Sequence, residues 1–312
     1  MRLPLRRPPR RRLAGRRLAA AVLVTAAALA ALPAVGAAPA EDARAAAGAA
    51  TAAVAAKAQP AFDPGDIISD DSFYNPYAMT ADQVQHFLDA RTCTPKDTSP
   101  CLADFHMDVP RTPASAERCA AIPAKKNERA SSIIVRIARA CTISPRVLLV
   151  LLQKEQSLLT TPSASGYQKA TGYACPDTAG CDTRYFGFFN QVYRAAWQFR
   201  EYTAHPSDWR YRVGANKIQY HPDAACGAST VRVVNQATAN LYNYTPYQPD
   251  SKTVAHPTGP GDACSAYGNL NFSRLYNSWF GDPRTVRYTG FQLPCLIYAG
   301  GWGCAPLRPF ES

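Results

Sequence analysis

The hydrophobic and polar positions follow a helical period through much of the chain, most clearly over ISPRVLLVLLQKEQSLL, residues 143–159. Ser144 and Pro145 predict a helix start, because a serine hydroxyl can accept the free N–H groups of the first turn and proline has no N–H to leave unpaired there. Residues 147–152 are apolar without a break, and a helix that is apolar all round is a buried one. At 3.6 residues per turn, Glu155 continues the apolar stripe. The pattern therefore predicts a buried helix that ends in a carboxyl group.

The carboxyl group of Glu155 has two interpretations. In a cleft, desolvation raises the pKa of a carboxyl group, and a glutamic acid kept protonated can donate its proton to a leaving oxygen, as a glycosidase acid does. Alternatively, the helix leaves the core at Gln153 and Glu155 is an ordinary solvated glutamate. The helix alone favours the second interpretation, and the sequence downstream favours the first.

Several other segments are predicted to be helices, because their apolar residues recur every three or four positions. They comprise a capping box at Thr80-Ala81-Asp82-Gln83, a start at Ser131 or Ser132, the stretches 192–202 and 233–242, and a last helix at 272–280 that Gly281 ends. Strand signals are weak, so short strands or hairpins are expected only in loops. The sequence therefore predicts a mainly α fold, a single helical domain with disulfide-braced loops.

Charge and the first 60 residues indicate an exported protein. Eight arginines lie within residues 1–40 with no acid among them, and removing them from the net charge of +11 leaves +3, which argues against nucleic-acid binding. The same segment has a basic start, an apolar stretch and a small-residue cleavage site before Glu41, as a signal peptide does. Uncleaved, it would be a short membrane anchor, although Pro33 and Gly36 argue against a full span. We expect a signal peptide over 1–40, an alanine-rich linker over 41–61, and a secreted or cell-wall-associated protein without a stable membrane span.

All ten cysteines follow the predicted signal peptide. An even number of cysteines outside the cell implies disulfides. Zinc is the rival interpretation, but the chain has no C-x-x-C and no HExxH motif, so no metal and no cofactor are predicted. Sequential pairing is the simplest hypothesis: Cys93 with Cys101, Cys119 with Cys141, Cys175 with Cys181, Cys226 with Cys264, and Cys295 with Cys304.

Three short motifs in order give the chain a resemblance to the lysozyme-like superfamily, in particular to lytic transglycosylases and bacterial glucosaminidases. SPRVLLVLLQKEQS resembles the helix that carries the catalytic glutamate of that superfamily, GFFNQ at 187–191 resembles a segment that lines the glycan groove, and LYNYTPY at 241–247 resembles the segment whose tyrosine orients the acid. The resemblance implies an α+β lysozyme-like fold over 131–282, a helical or irregular extension over 62–130, and a tail over 283–312 that holds the last cysteine pair. It also implies a monomeric enzyme that cuts peptidoglycan.

The site residues follow from these motifs. Glu155 is the predicted general acid, and Tyr242 is predicted to contact it. A second carboxylate would come from the braced loop, as Asp177 or Asp182, although an aspartate in such a position commonly only caps a turn. Without one, the sugar's own 6-hydroxyl would attack, as in a transglycosylase. The predicted substrate-binding residues are Asn190 or Gln191 and the loop tyrosines Tyr173, Tyr185, Tyr244 and Tyr247, since aromatic rings stack on sugar faces. Phe188, Phe189 and Trp197 are instead predicted to belong to the core.

A second function class stays open. The same exported, aromatic-rich body could be a non-catalytic glycan-binding protein of the haemagglutinin or adhesin kind, in which a groove holds sugar without cutting it. A fully exposed Glu155 without a second catalytic group would favour that reading. A serine hydrolase is disfavoured because the chain has no G-x-S-x-G motif.

Overall fold

The computed structural model describes residues 61–176 and 179–286. All described residues belong to one compact unit. Within the described ranges, none of the helices has both the length and the apolar character that crossing a membrane requires. Asp177, Cys295 and Cys304 lie outside the described residues.

Helices make up most of the described structure. They are α1 (Asp70–Phe73), α2 (Ala81–Asp89), α3 (Ala130–Cys141), α4 (Pro145–Gln156), α5 (Ala164–Gln168), α6 (Phe188–Ala204), α7 (Gln236–Tyr244), α8 (Ser251–Ala255) and α9 (Gly268–Phe280). The predicted starts of α2 and α4 are confirmed, because Thr80 and Gln83 form the capping box and the Ser144 hydroxyl accepts the N–H of Arg146. Gly281 ends α9 with a positive φ of 87°, as its place after the last apolar residue predicts.

Two antiparallel hairpins accompany the helices. The strands are β1 (His106–Val109), β2 (Lys125–Arg129), β3 (Gly214–Gln219) and β4 (Ala228–Val233), and β1 pairs with β2 and β3 with β4. The prediction of a mainly helical, lysozyme-like domain is therefore wrong: in the described ranges, the protein is α+β, with nine α-helices and two small antiparallel sheets. The strands escaped prediction because they are mostly polar. In β2 only Glu128 is buried, and in β3 only Ile218 is buried, so neither strand shows an alternation of apolar residues.

The core is built around α4. Residues 147–152 of this helix are completely buried, as predicted from their unbroken apolar run. Helix α4 packs on α3 and α9, and α3 also packs on α2 and α6. Residues from 67 to 276 contribute to one hydrophobic core, which includes Phe188 and Phe189, while Trp197 packs against it partly buried. The core fixes the end of α4, where Glu155 lies, at the edge of the packed region.

Disulfides hold the loops. Cys93–Cys101, Cys119–Cys141, Cys175–Cys181 and Cys226–Cys264 are all formed, which confirms four of the five predicted pairs. No described cysteine is free. Such a set of disulfides fits an extracellular protein, because thiols are kept reduced inside the cell.

Candidate functional site around Glu155

Glu155 lies in the last turn of α4 and is neither buried nor fully solvated. Its side chain is 23% exposed, and its Oε1 lies 2.6 Å from the ammonium Nζ of Lys154. Lys154 is only 7% exposed, and its Nζ also donates to the Thr245 hydroxyl at 3.1 Å. Glu155 is therefore an ion-paired carboxylate at the surface end of a buried helix, between the two interpretations that the sequence offered.

The backbone of the loop after α5 covers the other side of this carboxylate. Gly172 has a φ of +69°, and a Cβ placed on it would lie 3.1 Å from Oε2 of Glu155. A glycine is needed here for two reasons, because other residues rarely adopt this backbone conformation and because a side chain would press on the carboxylate.

Gln191 fixes the position of that loop. Its side-chain oxygen accepts the backbone N–H groups of Thr171 at 3.3 Å and Tyr173 at 3.1 Å. Its amide nitrogen donates to the carbonyl oxygens of Tyr173 at 3.0 Å and Tyr185 at 2.9 Å. Because Gln191 is fully buried, its side chain serves the loop and is not exposed to substrate. Asn190, the other candidate from the sequence, is partly exposed and donates to the Arg184 carbonyl oxygen at 3.0 Å.

The tyrosine beside Glu155 is Tyr244, not Tyr242. Burial, and then the negative charge of Glu155, raise the pKa of Tyr244 well above its usual value, and its hydroxyl donates to the Thr171 carbonyl oxygen at 2.8 Å. Tyr242 is completely buried, and its hydroxyl donates instead to the Pro64 carbonyl oxygen at 2.9 Å. The structure therefore does not bear out the predicted contact between Tyr242 and Glu155, and the tyrosine that senses the charge of Glu155 is Tyr244.

Two of the predicted loop tyrosines lie together. The rings of Tyr173 and Tyr185 meet edge to face with centroids 5.0 Å apart, and the Arg194 guanidinium lies 5.5 Å from the centroid of the Tyr185 ring. Burial raises the pKa of the Tyr173 hydroxyl. Tyr247 lies beside the β3–β4 hairpin, where it forms a parallel bridge with Gln219. The structure thus brings Tyr173, Tyr185 and Tyr244 to the loop that borders Glu155.

Of the two candidates for a second carboxylate, Asp182 lies at the protein surface, and Asp177 lies outside the described residues. Asp182 caps the short 3₁₀ helix Thr183–Tyr185 and accepts from the Arg184 side chain, with Nη2 2.6 Å from Oδ2. This side-chain hydrogen bond is the main cause that lowers the pKa of Asp182. Asp182 is therefore a turn cap paired with its neighbour Arg184.

A polar cavity of about 400 Å³ opens beside Lys154. Its lining includes Gln153, Ser157, Asn271 and Arg274. Arg274 donates to the Pro257 carbonyl oxygen at 2.6 Å. The cavity has two cationic side chains and hydrogen-bonding groups, which suit an acidic or hydroxylated ligand.

Sequence reasoning missed Lys154, Thr171, Gly172 and Thr245 as parts of this site. Lys154 could have been found, because it directly precedes Glu155 in the sequence. The other three residues belong to loops or helix ends, whose approach to Glu155 depends on tertiary packing. In the described ranges, no cluster of three or more histidine, cysteine, aspartate or glutamate side chains could hold a metal ion.

The fold and the site define a disulfide-braced α+β domain with an ion-paired glutamate at the surface end of its central helix. A family model described as the LasA N-terminal domain matches residues 66–294, well over half of the sequence, and the chain belongs to this family. The match does not support membership of the lysozyme-like superfamily, which the three motifs resemble. Comparisons with curated proteins and with solved structures found no match.

Proposed function

We propose that this protein is secreted, acts on the bacterial cell wall, and cleaves the glycan strands of peptidoglycan with Glu155 as general acid. The family supports the first part, since LasA is a family of secreted staphylolytic peptidases and the matching model describes its N-terminal domain. The observation that carries the second part is the position of Glu155, whose carboxylate lies partly exposed between Lys154 and the backbone of Gly172.

The proposed chemistry needs a proton for the leaving glycosidic oxygen and a group that completes the reaction. In this proposal a bound sugar takes the place of Lys154 beside Glu155, the carboxylate takes up a proton from water, and it then donates this proton to the leaving glycosidic oxygen. Thr245, already within 3.1 Å of Nζ, keeps the ammonium of Lys154 engaged. With Asp182 bound to Arg184 and Asp177 outside the described residues, the proposed route is attack by the sugar's own 6-hydroxyl. In this route Glu155 acts first as an acid and then as a base, and no second carboxylate is required.

Aromatic rings and one amide are the proposed contacts for the sugar. Tyr173 and Tyr185 offer ring edges and faces beside the Glu155 loop, and apolar sugar faces stack on such rings. Asn190 is the proposed amide contact, since Gln191 is committed to the loop backbone. Tyr244 and Tyr247 are proposed as further contacts for the sugar.

Mass spectrometry of soluble fragments released from purified peptidoglycan tests the proposal. The wild-type protein and the Glu117→Gln variant, which alters a carboxylate beside His205, are expected to release fragments, whereas Glu155→Gln is not. Products lighter by one water would identify the transglycosylase route. Equal release by wild type and Glu155→Gln would refute the role of Glu155.

A second candidate function is glycan binding without cleavage. The ion pair between Lys154 and Glu155 favours it, because a carboxylate held by an ammonium can accept hydrogen bonds from sugar hydroxyls without donating a proton. Co-sedimentation with insoluble peptidoglycan separates the two candidates. Binding by wild type that Tyr173→Ala weakens, together with no fragment release by either protein, would establish this second function.

A further inference from the structure

We propose that a groove between α2 and α9 binds acidic peptides through two arginine side chains above a floor of aromatic rings. The groove has a volume of about 430 Å³, and it is called the α2–α9 groove below. Its main lining residues are Met79, Phe87, Arg91, Arg146, Trp279 and Phe280. The proposal does not rest on the function assigned to Glu155.

The floor of the α2–α9 groove consists of three rings in mutual contact. Phe87 lies edge to face with Trp279 at 5.4 Å between centroids, and its ring is tilted against Phe280 at 5.2 Å. All three rings are only partly buried against the core. A cluster of partly exposed rings is an apolar surface, which suits the aliphatic part of a peptide.

Two guanidinium groups lie over this floor. The Arg91 guanidinium is 4.2 Å from the Phe87 ring centroid and 5.7 Å from that of Trp279, and the Arg146 guanidinium is 5.3 Å from that of Phe280. Stacking on aromatic rings leaves the edges of a guanidinium free to bind a carboxylate with two parallel hydrogen bonds. Both arginines are thus held in a geometry that carboxylates recognise.

These positive charges lack an acidic neighbour in the α2–α9 groove. No aspartate or glutamate is among its described lining residues. Asp89 and Asp104 line a neighbouring cavity together with Arg91, and Asp71 lines another together with Arg146. The Nε of Arg91 donates to the Phe87 carbonyl oxygen, whereas the buried Nε of Arg146 has no acceptor among the described residues. Charge complementarity therefore favours a ligand that brings its own carboxylates.

The α2–α9 groove is separate from the Glu155 site. Arg146 is in the first turn of α4 and Glu155 in its last turn, and nine residues of helix place their backbones about 13 Å apart. Changes at Arg91 and Arg146 are therefore expected to leave glycan cleavage unchanged, so the two proposals can fail independently.

Isothermal titration calorimetry with the peptide acetyl-Glu-Leu-Glu-amide tests the proposal on the purified protein. We expect saturable binding that weakens about tenfold or more in Arg91→Gln and in Arg146→Gln and weakens as salt is raised. Acetyl-Gln-Leu-Gln-amide, which has the same shape without the charges, should bind at least tenfold more weakly. The matched control is Arg111→Gln, which removes an exposed arginine that does not line the groove, and it should bind like wild type.

Three outcomes would overturn the proposal. One is absence of binding to the wild-type protein, which is also expected if another segment of the chain occupies the groove. The second is equal binding of the charged and neutral peptides. The third is displacement of the peptide by inorganic phosphate at matched ionic strength, which would indicate a phosphate site. If Arg146→Gln does not fold, Arg91→Gln and the neutral peptide still decide the question.

Discussion

Gln191 shapes the loop beside Glu155, although it does not touch the carboxylate. All of its side-chain hydrogen-bonding atoms are used by backbone groups at 171–173 and by Tyr185. Asn190, the preceding residue, makes a single side-chain hydrogen bond and is partly exposed. Two adjacent amides thus have different roles, one structural and one open to solvent.

We expect Gln191→Ala to lower the free energy of unfolding by about 2 kcal/mol or more, because it leaves several buried backbone groups without partners. Asn190→Ala is the matched control and should cost less than about 1 kcal/mol. Urea unfolding of the two variants measures the difference. Similar losses in both would show that Gln191 does not hold the loop.

Gly172 is the residue most sensitive to an added methyl group. Gly172→Ala places a Cβ 3.1 Å from the Glu155 carboxylate and forces alanine into a left-handed conformation at φ +69°. We expect a loss of about 1 kcal/mol in the free energy of unfolding and slower fragment release. Gly180→Ala in the same loop region is the control, because nothing lies within 4 Å of its added Cβ. Unchanged release by Gly172→Ala would mean that this contact does not matter.

At this scale the sequence was sufficient for residues whose signal is local. Glu155 was singled out by its position at the end of an apolar run, and four cysteine pairs were predicted from their order along the chain. The choice between Tyr242 and Tyr244 was wrong for a geometric reason. Two residues apart on a helix, their side chains differ by about 200° in direction, so a small error in register points the wrong ring at Glu155.

At the scale of elements, α1 and α7 are joined through a partly buried carboxylate, that of Asp70. Asp70 in α1 accepts the backbone N–H of Ala237 in α7 at 2.7 Å. Burial is the main cause that raises the pKa of Asp70, and hydrogen bonds from the start of α7 oppose the rise. Because the folded protein holds the proton of Asp70 more tightly than the unfolded chain, this group reduces stability as pH rises above its unfolded value of 3.8.

Asp70→Asn removes this titration but keeps an oxygen that can accept the N–H of Ala237. We therefore expect the free energy of unfolding to fall less, or rise more, between pH 4 and pH 7 in Asp70→Asn than in wild type. Asp97→Asn is the control, since hydrogen bonding, first from Ser99, lowers the pKa of Asp97 and moves its titration below this window. Urea unfolding at the two pH values gives the comparison. An identical pH dependence in Asp70→Asn and wild type would contradict the assignment.

Helices were easier to predict than strands, because capping residues mark where a helix begins or ends. Helices α2, α4 and α9 begin or end at capping residues that act locally. The last residue of strand β4 was assigned to the following helix, because Val233 is apolar and lies only three residues before the start of α7. Strands β2 and β3 are stabilised by pairing with β1 and β4. Their sequences are mostly polar and show no alternation of apolar and polar residues from which a strand could be predicted.

At the scale of the whole molecule, an extracellular, disulfide-braced body could be predicted, and the fold family could not. Each of the three motifs that resembled lysozyme-like enzymes covers only a few residues, and such short patterns recur on unrelated helices and loops. The match to the LasA N-terminal domain extends over 66–294, so it also uses the polar strands and loops that the motifs ignored. The match over most of the chain therefore identified the family, which the three short motifs did not.

The rate at which soluble fragments are released is the most direct test of the proposed cleavage of peptidoglycan by Glu155. Purified peptidoglycan is incubated with wild type, Glu155→Gln and the Glu117→Gln control, and soluble fragments are quantified over time by mass spectrometry. Loss of a general acid slows such reactions by about 100-fold or more, so Glu155→Gln should release fragments at least that much more slowly while the control matches wild type. Release by Glu155→Gln at the wild-type rate would contradict the claim.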